Sequence, residues 1–225
     1  MNITAVIFDC DGVLVDSEML SAGVLQDMMA EIGMPMSDEI FRDVFLGRSF
    51  ANATARAETV LGIELPSSFE SQYRDRLFAA LSESLRPMAG VVEVLSSMRV
   101  PFCLATSSTP RRLALSLKVT GLGQFFEDNK FTASEVQHGK PAPDLCFYAA
   151  EKMNVSQKTC LVIEDSEMGI LAAKAAGMEV WHFAGGSHVK AGYRLPEALS
   201  IAKVIPDMPS LLNAFVEIGI SKRAI

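Results

Sequence analysis

A chain of 225 residues can bury a sizeable interior, as one large domain or as a core with a smaller appended unit. With 49% hydrophobic and 21% charged residues it is globular, not disordered, and its net charge of -7 argues against broad binding to a nucleic-acid backbone while leaving room for a local basic pocket. Cys10, Cys103, Cys146 and Cys160 never fall within three positions of each other, which argues against a zinc knuckle or redox pair and for reduced, buried thiols. No basic leader precedes a long apolar run, and no run approaches the length of a membrane span. The expectation is a soluble cytoplasmic protein with no membrane or nucleic-acid partner, and nothing demands more than a monomer.

The chain opens with an apolar run, Ala5 to Phe8, that reads as a buried strand and stops at Asp9-Cys10-Asp11-Gly12. Two carboxylates at the end of a core strand need a cation between them or a proton on one of them. A strand-end turn is the bland alternative for so short a motif. Val13-Leu14-Val15 suits a small hairpin or flap.

From Asp16 to Met88 the rhythm is helical. Ser17 is placed to cap a helix with Leu20, Val24, Leu25, Met28 and Ile32 on one side, ending at Gly33. Ser37 can begin a second, carrying Ile40, Phe41, Val44 and Phe45 and closed by Gly47. A third runs from Ser49 to about Leu61, and a fourth carries Phe69, Tyr73, Leu77, Leu81 and Leu85. Residues 16–88 thus form a four-helix insert, with the core made of 1–15 and 89–225.

Beyond Gly90 helices alternate with short apolar runs. A helix through Val91, Val94, Leu95 and Met98 leads to a strand, Pro101 to Ala105, which ends at Thr106-Ser107-Ser108. Thr109, Pro110 and Gly121 mark the start and end of the next helix. A weaker strand near Lys130–Ala133 precedes Gly139-Lys140-Pro141-Ala142-Pro143 and another helix. Cys160 to Ile163 ends at Glu164-Asp165-Ser166, Glu179 to Phe183 is a further strand, and Ala202 to Ile205 is an edge strand before a last helix. Such alternation implies an α/β fold, a Rossmann-like parallel sheet covered on both faces. Parallel strands bring their carboxyl ends to one edge, where ligands bind. Three of these strands end in Asp9-Asp11, Thr106-Ser107-Ser108 and Glu164-Asp165.

Asp9, Asp11, Glu164 and Asp165 crowded at that edge suit a hard divalent cation such as Mg²⁺, which prefers oxygen ligands and bridges to phosphate. Lys140 would supply a fixed positive charge and Thr106 a hydroxyl for a phosphoryl oxygen. Asp9 could then attack phosphorus to give an aspartyl-phosphate, and Asp11 could protonate the leaving oxygen and later deprotonate water.

The four stretches, Asp9-x-Asp11-Gly12-Val13, Thr106 after an apolar strand, Lys140 in Gly-Lys-Pro-Ala-Pro-Asp144, and Glu164-Asp165-Ser166, resemble the ordered motifs of the haloacid dehalogenase superfamily. The helical insert is similar to that family's all-α cap, and the chain looks most like the β-phosphoglucomutase-like phosphatases of sugar phosphates and other small phosphate monoesters. The resemblance implies a phosphorylated small metabolite as substrate. It makes Asp9 the nucleophile, Asp11 the acid/base, Thr106, Ser107 and Lys140 phosphate ligands, and Asp9, the Asp11 carbonyl, Glu164 and Asp165 the Mg²⁺ site. Asp11 sets the chain apart from the dehalogenases. The segment from Asp16 to Met88 holds no lysine, which removes the phosphonatase Schiff base, and no histidine, which counts against a phosphomutase of the β-phosphoglucomutase type, the alternative function.

Arg48, in the turn Gly47-Arg48-Ser49, and Glu18, beside the hinge, are candidate substrate contacts. A solvated arginine and a first-turn carboxylate explain them as well. Arg74 and Arg76 read as an exposed helix face, and Arg111 and Arg112 as the solvent side of theirs. Gly185-Gly186-Ser187-His188 is an anion nest or a strand-to-helix turn, His182 a packed core histidine, and Met28 and Met29 core.

Overall fold

Because Ala5–Phe8 (β1) is apolar without alternation, it is buried along its whole length. A computed structural model of the chain, describing residues 2–44, 50–62 and 64–222, places β1 between Phe102–Thr106 (β2) and Cys160–Glu164 (β4). Lys130–Thr132 (β3) extends the sheet on one side, and Glu179–Phe183 (β5) and Val204–Ile205 (β6) on the other. All neighbouring strands are parallel, in the order β3-β2-β1-β4-β5-β6. That order reverses between β1 and β4, the position at which open parallel sheets form a ligand crevice beyond their carboxyl ends.

The register puts Phe8 beside Ile163 and Leu104, so β1, β2 and β4 end within about two residues of one another at one edge. On one face Val6, Phe8, Leu104, Leu161, Ile163 and Phe183 join the core formed with Val91–Ser97 (α5) and Met208–Glu217 (α10). On the other, Ile7, Cys103, Ala105 and Val162 pack with Asp144–Lys152 (α7) and Glu167–Ala175 (α8). All four cysteines are buried and free. His182 is buried, and the helix Pro110–Thr120 (α6) has the expected signals: Thr109 Oγ1 accepts from Arg112 N, Pro110 leads, and Gly121 closes it at φ 71°.

Between β1 and β2 the chain forms Glu18–Glu31 (α1), Asp38–Val44 (α2), Phe50–Leu61 (α3) and Phe69–Ser84 (α4). Tyr73, Leu77 and Leu81 of α4 are buried at the expected spacing, and Leu25, Met28 and Met29 of α1 share their cluster. The stripe of α1 differs at its ends: Ala22 is buried, and Ile32 is exposed beyond the last turn. Ser17 does not cap α1, because its hydroxyl is directed to Asp11 instead. The two crossings into this insertion run side by side: Asp16 N donates to Arg86 O at 3.1 Å and Met88 N to Leu14 O at 2.9 Å. Phe45, Gly47, Arg48 and Ser49 lie outside the described residues. None of the described helices is long and apolar enough to cross a membrane.

Candidate active site

Asp9 follows the last residue of β1, and its amide donates to Ile163 O at 3.0 Å, so the chain is still held against β4 where the carboxylate emerges. Glu164 ends β4 and Asp165 follows it. All three side chains are buried, and one carboxylate oxygen from each lies within 4.8 Å of the others. Lys140 reaches them from the loop ahead of α7. Its Nζ donates to Asp9 Oδ1 at 2.5 Å, Glu164 Oε2 at 2.8 Å and Ala105 O at 3.1 Å, which uses all three ammonium protons.

The electrostatics follow from that packing. Burial pushes the Asp9 carboxyl well above the usual carboxylate range, Glu164 pushes it the same way, and Lys140 acts against both. Asp165 is raised for the same reasons, burial first and then Glu164. For Lys140 burial alone would lower the ammonium pKa, but Asp9 and Glu164 outweigh it and raise it.

One ammonium against three carboxylates leaves a surplus of negative charge in a buried volume. A hard divalent cation would balance it, and an all-oxygen donor set is the kind that Mg²⁺, Ca²⁺ or Mn²⁺ takes. The backbone makes room for these carboxylates by carrying glycine where they pack. Gly12 has φ +81°, and a Cβ there would overlap Asp165 Oδ2; a Cβ at Gly169 would overlap the Glu164 carboxyl. The residues present therefore fit a divalent metal.

Asp11 does not point its carboxylate into this group, contrary to the expected cluster of four. The turn Cys10–Val15 sends it toward the helical insertion, where Ser17 Oγ donates to Oδ1 at 2.6 Å, Ser108 Oγ to Oδ2 at 2.6 Å, and Arg112 Nη2 to Oδ1 at 2.7 Å. Burial would raise its pKa, but Arg112 and the two hydroxyls lower it. Thr106, at the end of β2, is buried and its Oγ1 accepts from Ser108 N at 3.0 Å, while Ser107 is exposed. Glu18 is partly buried, and its pKa is raised by burial and then by Asp11. Arg48 lies outside the described residues.

The structure corrects the expected placement of Arg112. Arg112 is not on a solvent face: α6 starts at the carboxyl edge of the sheet, so its first turn looks back at the site. Arg111 is exposed, but it too is turned to the insertion, 4.6 Å from the Phe78 ring of α4. A helix opening directly after Thr106-Ser107-Ser108 was the available signal. Of the two readings of Gly185-Gly186-Ser187-His188, the structure has the strand-to-helix turn, which places His188 beside the acidic group. Its Nε2 lies 3.0 Å from Asp165 Oδ2, and Ser187 donates its amide and hydroxyl to Asp16 Oδ1 at 3.0 and 2.7 Å.

The family model of haloacid dehalogenase-like hydrolases matches residues 3–177, most of the chain. The chain belongs to the haloacid dehalogenase-like hydrolases. Among its relatives in that family, the phosphorylated carbohydrates phosphatase of Thermotoga maritima is 32% identical over 219 residues, 95% of this chain and 99% of that protein. The 6-phosphogluconate phosphatase of Escherichia coli is 30% identical over 190 residues, 84% of this chain and 86% of that one. A crystal structure of a hydrolase of this family from Deinococcus radiodurans, with bound phosphate and sodium, superposes with a TM-score of 0.80 at 31% identity and covers 99% of both chains. This haloacid dehalogenase-like chain is thus an enzyme, a hydrolase whose named relatives act on phosphoric monoesters.

Proposed function

We propose that the chain is a Mg²⁺-dependent phosphatase that hydrolyses small phosphate monoesters, sugar phosphates or related metabolites, through an aspartyl-phosphate on Asp9. The observation that carries this reading is the buried junction of Asp9, Glu164 and Asp165 with Lys140 at the switch between β1 and β4. The names of the two phosphatase relatives and the phosphate in the Deinococcus radiodurans structure support the same substrate class.

Asp9, Glu164 and Asp165, with the Asp11 carbonyl, would hold the metal, which when bound offsets the repulsion between an anionic nucleophile and an anionic substrate. Lys140 fixes the Asp9 carboxylate by one oxygen and leaves the other to attack phosphorus in line. Thr106 and Ser107 at the end of β2 face the transferring group with a hydroxyl and backbone amides. As the ester bond breaks, Asp11, which takes up a proton once it turns away from Arg112, Ser17 and Ser108, gives that proton to the leaving oxygen. It then takes a proton from the water that attacks the aspartyl-phosphate, which releases phosphate and restores Asp9. The insertion, residues 16–88, acts as a cap over 1–15 and 89–225, a division supported by the paired crossings at Leu14–Asp16 and Arg86–Met88.

The test is release of phosphate from p-nitrophenyl phosphate with and without Mg²⁺, followed by a screen of phosphorylated sugars, sugar acids and glycolate-type esters. Activity that needs the metal and is lost in Asp9→Asn is expected; full activity in Asp9→Asn would sink the mechanism. A phosphomutase on the same frame would instead yield isomers without free phosphate.

A further inference from the structure

The organic half of a phosphate ester must leave the reacting centre past Asp11, into the space between α6 and the insertion. Among the described residues Arg112 is a largely buried cation there. Its Nη2 is 2.7 Å from Asp11 Oδ1 and 3.4 Å from both Ser17 Oγ and Ser21 Oγ, and Ser21 is hydrogen-bonded to Tyr73 of α4. Arg112 Nε is buried and has no hydrogen-bond partner among the described residues. Nε and Nη2 together form the side-on edge by which a guanidinium takes a carboxylate in two parallel bonds. In this structure one of those donors is on Asp11 and the other is on nothing. Lys140, by contrast, has every donor occupied.

A buried donor without an acceptor is costly and calls for a partner. When Asp11 turns to the leaving oxygen it no longer balances the guanidinium. A substrate hydroxyl would satisfy Nε but leave the guanidinium balanced only by Glu18, whereas a carboxylate both fills Nε and replaces the charge of Asp11.

We propose that Arg112 is a specificity-determining residue whose guanidinium receives a carboxylate on the organic half of the substrate, so that phosphorylated sugar acids or hydroxy acids are preferred over neutral polyol phosphates. The inference rests on the phosphatase reading above. The carboxylate takes Nε and shares Nη2, and Ser17 and Ser21 supply hydroxyls to the neighbouring groups of the chain.

Matched esters that differ only in carboxylate against hydroxymethyl test this: 3-phosphoglycerate with glycerol 3-phosphate, and 6-phosphogluconate with glucitol 6-phosphate. The wild-type protein is expected to favour the acid of each pair by about tenfold or more in kcat/KM. Arg112→Gln should remove that preference through KM for the acid, with a smaller loss on the polyol esters and on p-nitrophenyl phosphate. Arg112→Lys, which keeps the charge without the planar fork, should restore part of it and also serves if the Gln variant does not fold. Equal use of both members by the wild type, or a uniform fall in kcat for both in Arg112→Gln, would overturn the proposal; the second result would mean that Arg112 only orients Asp11. Failure to hydrolyse any ester, the aryl phosphate included, would count against the phosphatase reading instead. Calorimetry on Asp9→Asn then decides the question: tighter binding of the acid, lost on adding Arg112→Gln, supports the assignment, and equal affinities refute it.

Discussion

His188 Nε2 stands 3.0 Å from Asp165 Oδ2 with both side chains shut away from solvent, and Ser187 beside it holds Asp16 at the entry to the insertion. The turn after β5 therefore ties one carboxylate of the acidic group to the entry of the insertion. A donor that orients a metal-binding carboxylate contributes to affinity without touching the ion. His188→Leu is expected to weaken Mg²⁺ binding by about 10–100-fold in calorimetric titration, and His188→Gln, which keeps a donor, to recover part of it. Unchanged affinity in the Leu variant would remove His188 from the metal edge.

Lys140 answers two buried carboxylates at once. Lys140→Met leaves Asp9 and Glu164 without their counter-charge, and the metal-free protein should lose about 3–5 kcal/mol in urea unfolding with a chelator present. With metal restored, kcat on an aryl phosphate should still fall by about 10²–10³-fold. A variant as stable and as active as the parent would show that the ammonium is incidental.

Gly12 and Gly23 make a contrasting pair. Gly12 has φ +81° and no room beside Asp165, whereas a Cβ at Gly23, within α1, would meet nothing within 4 Å. Gly12→Ala should lower the unfolding midpoint and weaken divalent-ion binding together. Gly23→Ala should stabilise by about 0.5–1 kcal/mol. The reverse order of stabilities would contradict the geometry of the β1 turn.

His182 lies beside Glu164 across β4 and β5 and offers a pH test that one substitution isolates. Its Nε2 is buried without a partner among the described residues, and burial, then the neighbouring His188, lowers its pKa from 6.5 to about 4. The unfolded chain binds the proton more readily, so this contribution is fully present above pH 6.5 and is lost as pH falls toward 4. Urea midpoints measured across that range should fall less steeply in His182→Leu than in the parent. Parallel curves would show that His182 is solvated.

Strand and helix order were legible in the sequence because both depend on local pattern. The unbroken apolar runs of β1 and β4, bounded by polar turns, suit interior parallel strands, and the steps from Phe69 to Leu85 suit one face of a helix. The carboxyl edge followed, since parallel strands must end together, and with it the meeting of Asp9, Glu164 and Asp165. Lys140 was legible only through its motif, as its loop has no periodicity.

What only the tertiary structure decided was the direction of side chains whose neighbours come from distant segments. Alternation along an extended strand would send Asp11 the same way as Asp9, but the turn that begins at Cys10 breaks the extended path and hands Asp11 to Ser17, Ser108 and Arg112. Helical periodicity put Arg112 in solvent because it describes a helix by itself, and the insertion above α6 buries that face. His188 pairs with Asp165 across 23 positions of sequence, a contact set by where β5 lies beside β4 and by no local preference. Sequence thus determined which groups reach the edge of the sheet, and packing between segments far apart in the chain determined which of them face each other.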